Sequence, residues 1–336
     1  MKKNLPVRRG LAVSLGLATA LGLTACGGNV GGGGGTTAEE FPSGPITILV
    51  GQDAGGSTDL ITRALADPVS EELGVPVVVE NRPGANGAVA AQQLATAEPD
   101  GQTLMTFVGS LAYITPLAVS EAEAVDINDY EVVTGISLDD YVLVTSPDTG
   151  FKTMEDVVNA GRPINYGTTG VGTGSQLSQE LLFAQTGIDA TAVPFDGGSP
   201  TLTAVLGGQV DVASVQLGEA FEQIEAGELV PLVTFAEERP SYLPDTPTAI
   251  EAGYDVPVQQ SRAIVAPQGT PQEAIDKLQE AFQAAFETEE YQQFNQERLL
   301  TPHEIPGDEL QTEWTENLEN YRSLVEQQGI NLGEGQ

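Results

Sequence analysis

The chain contains one cysteine, one histidine and one tryptophan among 336 residues, aromatic residues make up only 6%, and 13 Lys plus Arg stand against 48 Asp plus Glu. Each scarcity closes a class of function. A lone cysteine makes no intrachain disulfide, and Cys26 with His303 cannot assemble a zinc cluster. His303 follows Pro302 in a turn, far in sequence from any glycine-rich loop, so a histidine-based hydrolase lacks its general base; a Ser-Lys variant of an exported hydrolase stays formally open. The formal net charge of −35 disfavours nucleic acid and anionic lipid headgroups as partners. What remains is 40% hydrophobic residues over a length that suits one large or two ordinary domains.

Lys2, Lys3, Arg8 and Arg9 precede an apolar run over residues 11–25. That run is shorter than the roughly 20 residues a bilayer crossing needs, and its basic flank marks an export signal. Leu23-Thr24-Ala25-Cys26 resembles the bacterial lipobox, which implies acylation of Cys26 and loss of residues 1–25; a plain secretory signal with an incidental cysteine is the alternative. Residues 26–40, with Gly31 to Gly35 in a row, read as a tether, because glycines bring no side chains to pack. Cleavage before Cys26 removes four basic and no acidic residues, leaving 311 residues with a charge of −39.

From Phe41 onward short β-branched runs alternate with longer helical stretches, the signature of βα units and parallel sheets. Strands are predicted at 46–50, 77–79, 104–108, 142–145, 164–166, 190–193, 210–215, 229–235 and 263–266, and helices at about 58–72 and 88–97. Thr270-Pro271 and Ser199-Pro200 read as helix starts, and the chain from Pro271 to Gly329 reads as nearly all helical.

Two glycine-rich turns each follow a strand and open a helix: Ala54-Gly55-Gly56-Ser57-Thr58-Asp59 and the run from Gly167 to Ser175. Unpaired N–H groups at a helix N-terminus favour an anion, and glycine lets it approach. Two such ends facing each other would trap a carboxylate; either loop could equally be a tight turn, and Thr173-x-x-Gln176 a capping box. Neither loop has the lysine of a nucleotide-binding P-loop, and Ser175 stands where a dinucleotide fingerprint needs Gly or Ala.

These loops, together with Val79-Glu80-Asn81-Arg82-Pro83-Gly84, Pro99-Asp100-Gly101, Val193-Pro194-Phe195-Asp196-Gly197-Gly198, Leu206-Gly207-Gly208-Gln209-Val210-Asp211, Leu243-Pro244-Asp245-Thr246-Pro247 and Ala266-Pro267-Gln268-Gly269-Thr270-Pro271, give a chain that resembles the extracytoplasmic solute receptors of tripartite tricarboxylate transporters, the Bug receptors. The resemblance runs from about Pro45 to Gly329. It implies an α/β, two-lobed periplasmic-binding-protein fold of type II kind, each lobe a mixed, mostly parallel sheet flanked by helices, with the ligand cleft between them. Lobe 1 would comprise 41–141 and 262–336, and lobe 2 residues 142–261. It also implies a monomeric, non-enzymatic lipoprotein that captures a di- or tricarboxylate or related organic acid without cofactor or metal and delivers it to membrane transporter subunits. A receptor for a membrane signalling partner would use the same fold.

Carried over position by position, the first binding loop falls on Gly55, Gly56, Ser57, Thr58 and Asp59, and the second on Thr168, Thr169, Gly172, Thr173, Gly174 and Ser175. Ser110 and Asp196 are further expected cleft residues. Asp59 either reaches ligand through water or only favours the helix start, and Asp196 either lines the cleft or caps a helix. Asn81-Arg82-Pro83-Gly84 reads as structural. Where relatives usually carry Pro and an aromatic before the first glycine loop this chain has Gly51-Gln52-Asp53, and where they often carry Trp-Phe-Gly it has Ser261-Arg262-Ala263. An aromatic wall turned polar points to a ligand with hydroxyls, amines or a second charge, and Gln52, Asp53 and Arg262 are expected at it. Arg262 either receives a distal carboxylate or pairs with a surface acid.

The charge of the mature chain exceeds anything a carboxylate receptor needs and repels its ligand at long range. An acidic surface with few lysines fits a saline habitat, where the Debye length falls to about 3 Å at 1 M salt. The melting temperature should therefore climb as NaCl rises from about 0.2 M to about 3 M, well past the point where ordinary surface repulsion is already screened. A flat profile would leave the excess charge without that explanation.

Overall fold

The computed structural model describes residues 41–333; the expected export signal and the whole tether, Cys26 included, lie outside the described residues. The apolar run of β1 (Ile46–Val50) leads through the first glycine loop to α1 (Ser57–Leu73), β2 (Val77–Asn81), α2 (Ala88–Ala95) and β3 (Thr103–Val108). Two short helices, α3 (Ser110–Tyr113) and α4 (Thr115–Ala118), precede the 16-residue strand β4 (Tyr130–Thr145). Next come α5 (Met154–Val158), β5 (Ile164–Thr168), α6 (Gly174–Thr186), β6 (Ala190–Pro194), α7 (Gly198–Leu206), β7 (Val212–Gln216), α8 (Leu217–Glu225) and β8 (Val230–Thr234). The long strand β9 (Gln259–Pro267) and three helices, α9 (Gln272–Phe286), α10 (Glu289–Arg298) and α11 (Gly307–Gln328), complete the order.

The strands lie in the order β2-β1-β3-β9-β4-β7-β5-β6, with β8 also on β4. The βα units pair in parallel at the two flanks, β1 with β2 and β3, and β5 with β6 and β7. Between them β9 runs antiparallel to both β3 and β4. Strand β4 belongs to both flanks: Tyr130–Asp140 pairs with β9, whereas Tyr141–Thr145 pairs with β7 and β8. Sequence periodicity found only the second stretch, because the first interrupts its apolar residues with Thr134, Gly135, Ser137, Asp139 and Asp140.

Alternation along the strands sorts side chains to two faces. Ile46, Ile48, Leu104 and Ile264 face α1 and α9, packing with Ile61, Leu65, Leu278 and Phe282. Leu49, Met105, Ala263 and Val265 face the opposite layer, with Phe107 and Trp314. The same parity sends Ser261 toward Trp314, whose indole N–H it accepts at 2.9 Å, and Arg262 toward α1. The polar residues that replace an expected aromatic wall thus leave by opposite faces.

Two predicted helix starts shift. Thr270 donates its hydroxyl to Pro267 C=O and does not cap α9, whose N-cap is Pro271. Ser199-Pro200 sits inside the first turn of α7, after an N-cap at Gly197 with φ 100°, a conformation that favours glycine. The predicted all-helical C-terminal stretch is broken at residues 299–306, where Pro302 and Pro306 bridge to Ser137 and Thr134 at the edge of β4.

Candidate functional site

The first glycine loop closes on its own aspartate. Asp59, 2% exposed, accepts from Gly55 N–H at 2.8 Å, from Arg63 Nε at 3.1 Å and from Asn81 Nδ2 at 2.9 Å. Burial pushes its carboxyl up, but these bonds and the Arg63 charge outweigh it and hold the pKa below the ordinary aspartate value. The structure thus gives Asp59 a full set of protein partners and makes it the fastener of the loop. The Gly56 N-cap of α1 brings no side-chain cap, so the first N–H groups of that helix stay available at the positive end of its dipole.

The second loop is held in the same manner. Ser175 accepts from Thr169 N–H at 3.1 Å and donates to Ser214 C=O at 2.6 Å. Thr173 donates to Gly170 C=O and accepts from Gln176 N–H, while the Gln176 side-chain oxygen takes the Gly172 N–H. The capping pair is therefore present in a variant form, reaching one residue before Thr173. The Thr168 carbonyl accepts from Phe195 N–H and from Thr201. Gly174 has no room for a Cβ against the Tyr141 ring, and Gly172 lies against Thr115.

The sequence-expected residues fall into two groups. Gly55, Gly56 and Ser57 line a cavity of about 360 Å³. The same cavity is lined by Gln216 and Glu219 from the end of β7 and from α8, by Ser199 of α7, by Asp139 and Asp140 of β4 and by Arg298 of α10. The second loop lies outside that lining and meets α4 and the turn after β2: Thr115 Oγ1 donates to Gly172 C=O at 3.0 Å, and Asn86 Nδ2 lies 3.5 Å from the same oxygen and 3.0 Å from Ser110 Oγ. Gln52 connects the groups, donating to Asn86 C=O at 3.3 Å while its own carbonyl accepts from Asn81 at 3.2 Å. Thr58 and Arg262 sit behind the first group, and Asp53 and Asp196 are exposed, without a side-chain hydrogen bond among the described residues.

Arg262 is neither a surface residue nor open to the cavity. It is 1% exposed, forms an ion pair with buried Asp139, and donates to Thr58 Oγ1 at 3.1 Å, Ser137 Oγ at 3.3 Å, Ser57 Oγ at 3.0 Å and Gln216 Oε1 at 2.7 Å. Burial lowers its pKa to about 10, so it remains charged at neutral pH. The surface-acid alternative is thereby corrected: the acid is Asp139, on β4, inside the protein. Asn81, read as structural from the sequence, holds the first loop through Asp59 and Gln52; Asn86, Gln216 and Glu219 escaped sequence reasoning. The signal that could have found the last two is their place just beyond the C-terminal end of a predicted strand, where open α/β sheets bind ligands.

His303 pairs with Glu313 of α11 at 2.8 Å and is absent from the cavity lining. Among the described residues, no helix is long and apolar enough to cross a membrane. Within the cavity, Asp140 is raised by burial, partly offset by a hydrogen bond from Gln259. Glu219, packed against the Gly198 backbone at the start of α7, is pushed up by burial to about 7. A carboxyl whose folded pKa is raised adds stability that is fully present below its ordinary value of 4.5 and lost as pH rises through 7. The melting temperature of the unliganded protein should therefore fall across that window, and Glu219→Gln should flatten the fall. An unchanged slope in the variant would assign the pH response to another group.

The sequence profile of the tripartite tricarboxylate transporter family receptor matches residues 61–330. The UPF0065 protein in the gbd 5' region of Cupriavidus necator is 32% identical over 302 residues, covering 87% of this chain and 90% of that protein. Among solved structures, a protein of R. palustris with adipate superposes with a TM-score of 0.81 at 25% identity, covering 88% of this chain and all of that one. MatC from Rhodopseudomonas palustris with bound malate gives 0.74 at 27% identity, covering 85% of this chain and all of that one. The two-lobed periplasmic-binding-protein fold expected from the sequence is the fold observed, and the chain belongs to the tripartite tricarboxylate transporter receptor family.

Proposed function

We propose that this chain captures a small organic carboxylate, outside the cytoplasm, in the cavity bounded by Gly55, Gly56 and Ser57, and delivers it to membrane subunits of a tripartite tricarboxylate transporter. The single observation that carries this reading is the uncapped start of α1 opening onto a cavity of about 360 Å³, a size suited to a small molecule. Adipate and malate in two relatives of similar fold support a dicarboxylate. The boundary between lobes falls in this reading where β4 changes partners, with 41–141 and 262–336 on one side and 142–261 on the other. Gly55, Gly56 and Ser57 contact the ligand directly. Asp59, Ser110, Thr168 and Ser175 act by holding the loops, and the second loop with Asp196 comes to the ligand as the lobes hinge. No covalent chemistry, metal or cofactor takes part.

A thermal-shift screen of mono-, di- and tricarboxylates, sugar acids and amino acids tests the activity. A ligand at about 100 times its dissociation constant adds roughly 2.7 kcal/mol to stability. Stabilisation by a neutral solute and by no carboxylate would reject the reading.

Anchoring is the second part of the proposal, resting on the lipobox-like Leu23-Thr24-Ala25-Cys26 and the glycines after it. Replacing Cys26 with Ala should release the protein from the membrane fraction and leave ligand binding by the soluble part unchanged. Retention of Cys26→Ala at the membrane would reject acylation as the anchor.

A further inference from the structure

A guanidinium has five N–H donors and no acceptor. In Arg262 all five are engaged: Nε by Thr58, Nη1 by Ser137 and Asp139, and Nη2 by Ser57 and Gln216. None remains for a ligand, so the residue whose charge looked suited to a distal carboxylate cannot bind one in this arrangement. Its effect is on its neighbours. Because Arg262 only donates, Gln216 must turn its carbonyl oxygen toward Nη2, which leaves both hydrogens of Nε2 directed elsewhere. Ser57 Oγ likewise accepts from Nη2, which frees its hydroxyl hydrogen. Ser57 and Gln216 both line the cavity, and among the described residues neither the Gln216 amide hydrogens nor the Ser57 hydroxyl hydrogen has a protein acceptor. Sharing one nitrogen keeps the two side chains adjacent, although one starts α1 on the β1–β3 flank and the other ends β7 on the β5–β6 flank.

We propose that Gln216 is a ligand-binding residue, that with Ser57 it forms one carboxylate subsite made of uncharged donors, and that Arg262 is the positioning residue that fixes the direction of both. The positive charge of Arg262 is cancelled by Asp139, so the subsite recognises a carboxylate by hydrogen-bond direction and by the adjacent start of α1, not by an ion pair. The inference rests on the carboxylate-receptor reading above and adds to it a residue from the second flank, so that one carboxylate touches both flanks at once.

Gln216→Glu carries the test, with Gln216→Met as its uncharged control: an affinity lost in Gln216→Glu but kept in Gln216→Met would report charge repulsion and overturn the subsite. A glutamate still accepts from Arg262 Nη2, so the protein core keeps its bond, but it has no N–H to offer. Isothermal titration with malate, adipate and acetate, paired with thermal melting without ligand, should show a melting temperature at or above that of the unmutated protein and an affinity at least tenfold lower for every carboxylate the unmutated protein binds. Ser57→Ala should weaken the same ligands. Arg262→Lys, which keeps a cation beside Asp139 but cannot reach four further acceptors, should weaken binding, and adding Gln216→Glu to it should cost much less than Gln216→Glu does alone. Unchanged affinity in Gln216→Glu overturns the inference while leaving the receptor reading intact; an unmutated protein stabilised by a neutral solute and by no carboxylate of the screen above overturns both. Should Arg262→Lys fail to fold, Gln216→Glu and Ser57→Ala still decide the matter.

Discussion

The ion pair between Arg262 on β9 and Asp139 on β4 is the interaction around which this protein is organised. Both groups are out of water, and desolvating two charges is tolerated only where partners satisfy every remaining hydrogen-bonding atom. Here Ser137, Thr58, Ser57 and Gln216 complete the guanidinium, while Ser137 and the Thr301 N–H reach the aspartate. Removal of one partner from such a pair typically costs about 3–5 kcal/mol. The pair therefore joins the two long antiparallel strands, the start of α1 and the end of β7 at one point, and the first binding loop is anchored to it.

This explains what could and could not be read from the chain. Strand β1 was legible to the residue because Ile46-Thr47-Ile48-Leu49-Val50 is a local apolar run with turn signals on both sides. The glycine loops were legible because a strand, a glycine cluster and a helix start leave a sequence mark that needs no distant partner. The first stretch of β4 left none: its polar residues are held there by pairing with β9, by residues 301–306 and by Arg262, and contacts such as Ser137 with Arg262 span 125 residues. The destination of the Arg262 charge was illegible for the same reason, since 48 acidic residues offered themselves as partners. Gln216 was hidden differently, because an amide acquires a direction only when a neighbour forces one.

The cavity lining mixes the uncapped start of α1, with Ser57 and Gln216, with the carboxyl groups of Asp140, Glu219 and Glu222 and the guanidinium of Arg298. An anionic ligand of the proposed kind would meet an unfavourable long-range field, so short-range hydrogen-bond donors rather than net charge would hold it.

The sole tryptophan of the chain, Trp314, stands 1% exposed on the other side of β9 from the cavity, stacked on Phe107 with ring centroids 5.5 Å apart and bonded through its indole N–H to Ser261. Ser261 directly precedes Arg262, so any displacement of the guanidinium is transmitted through one peptide unit to the partner of the indole. The protein thus carries a single optical probe in its interior, and the colour and polarisation of its emission report on the strand that links the two flanks.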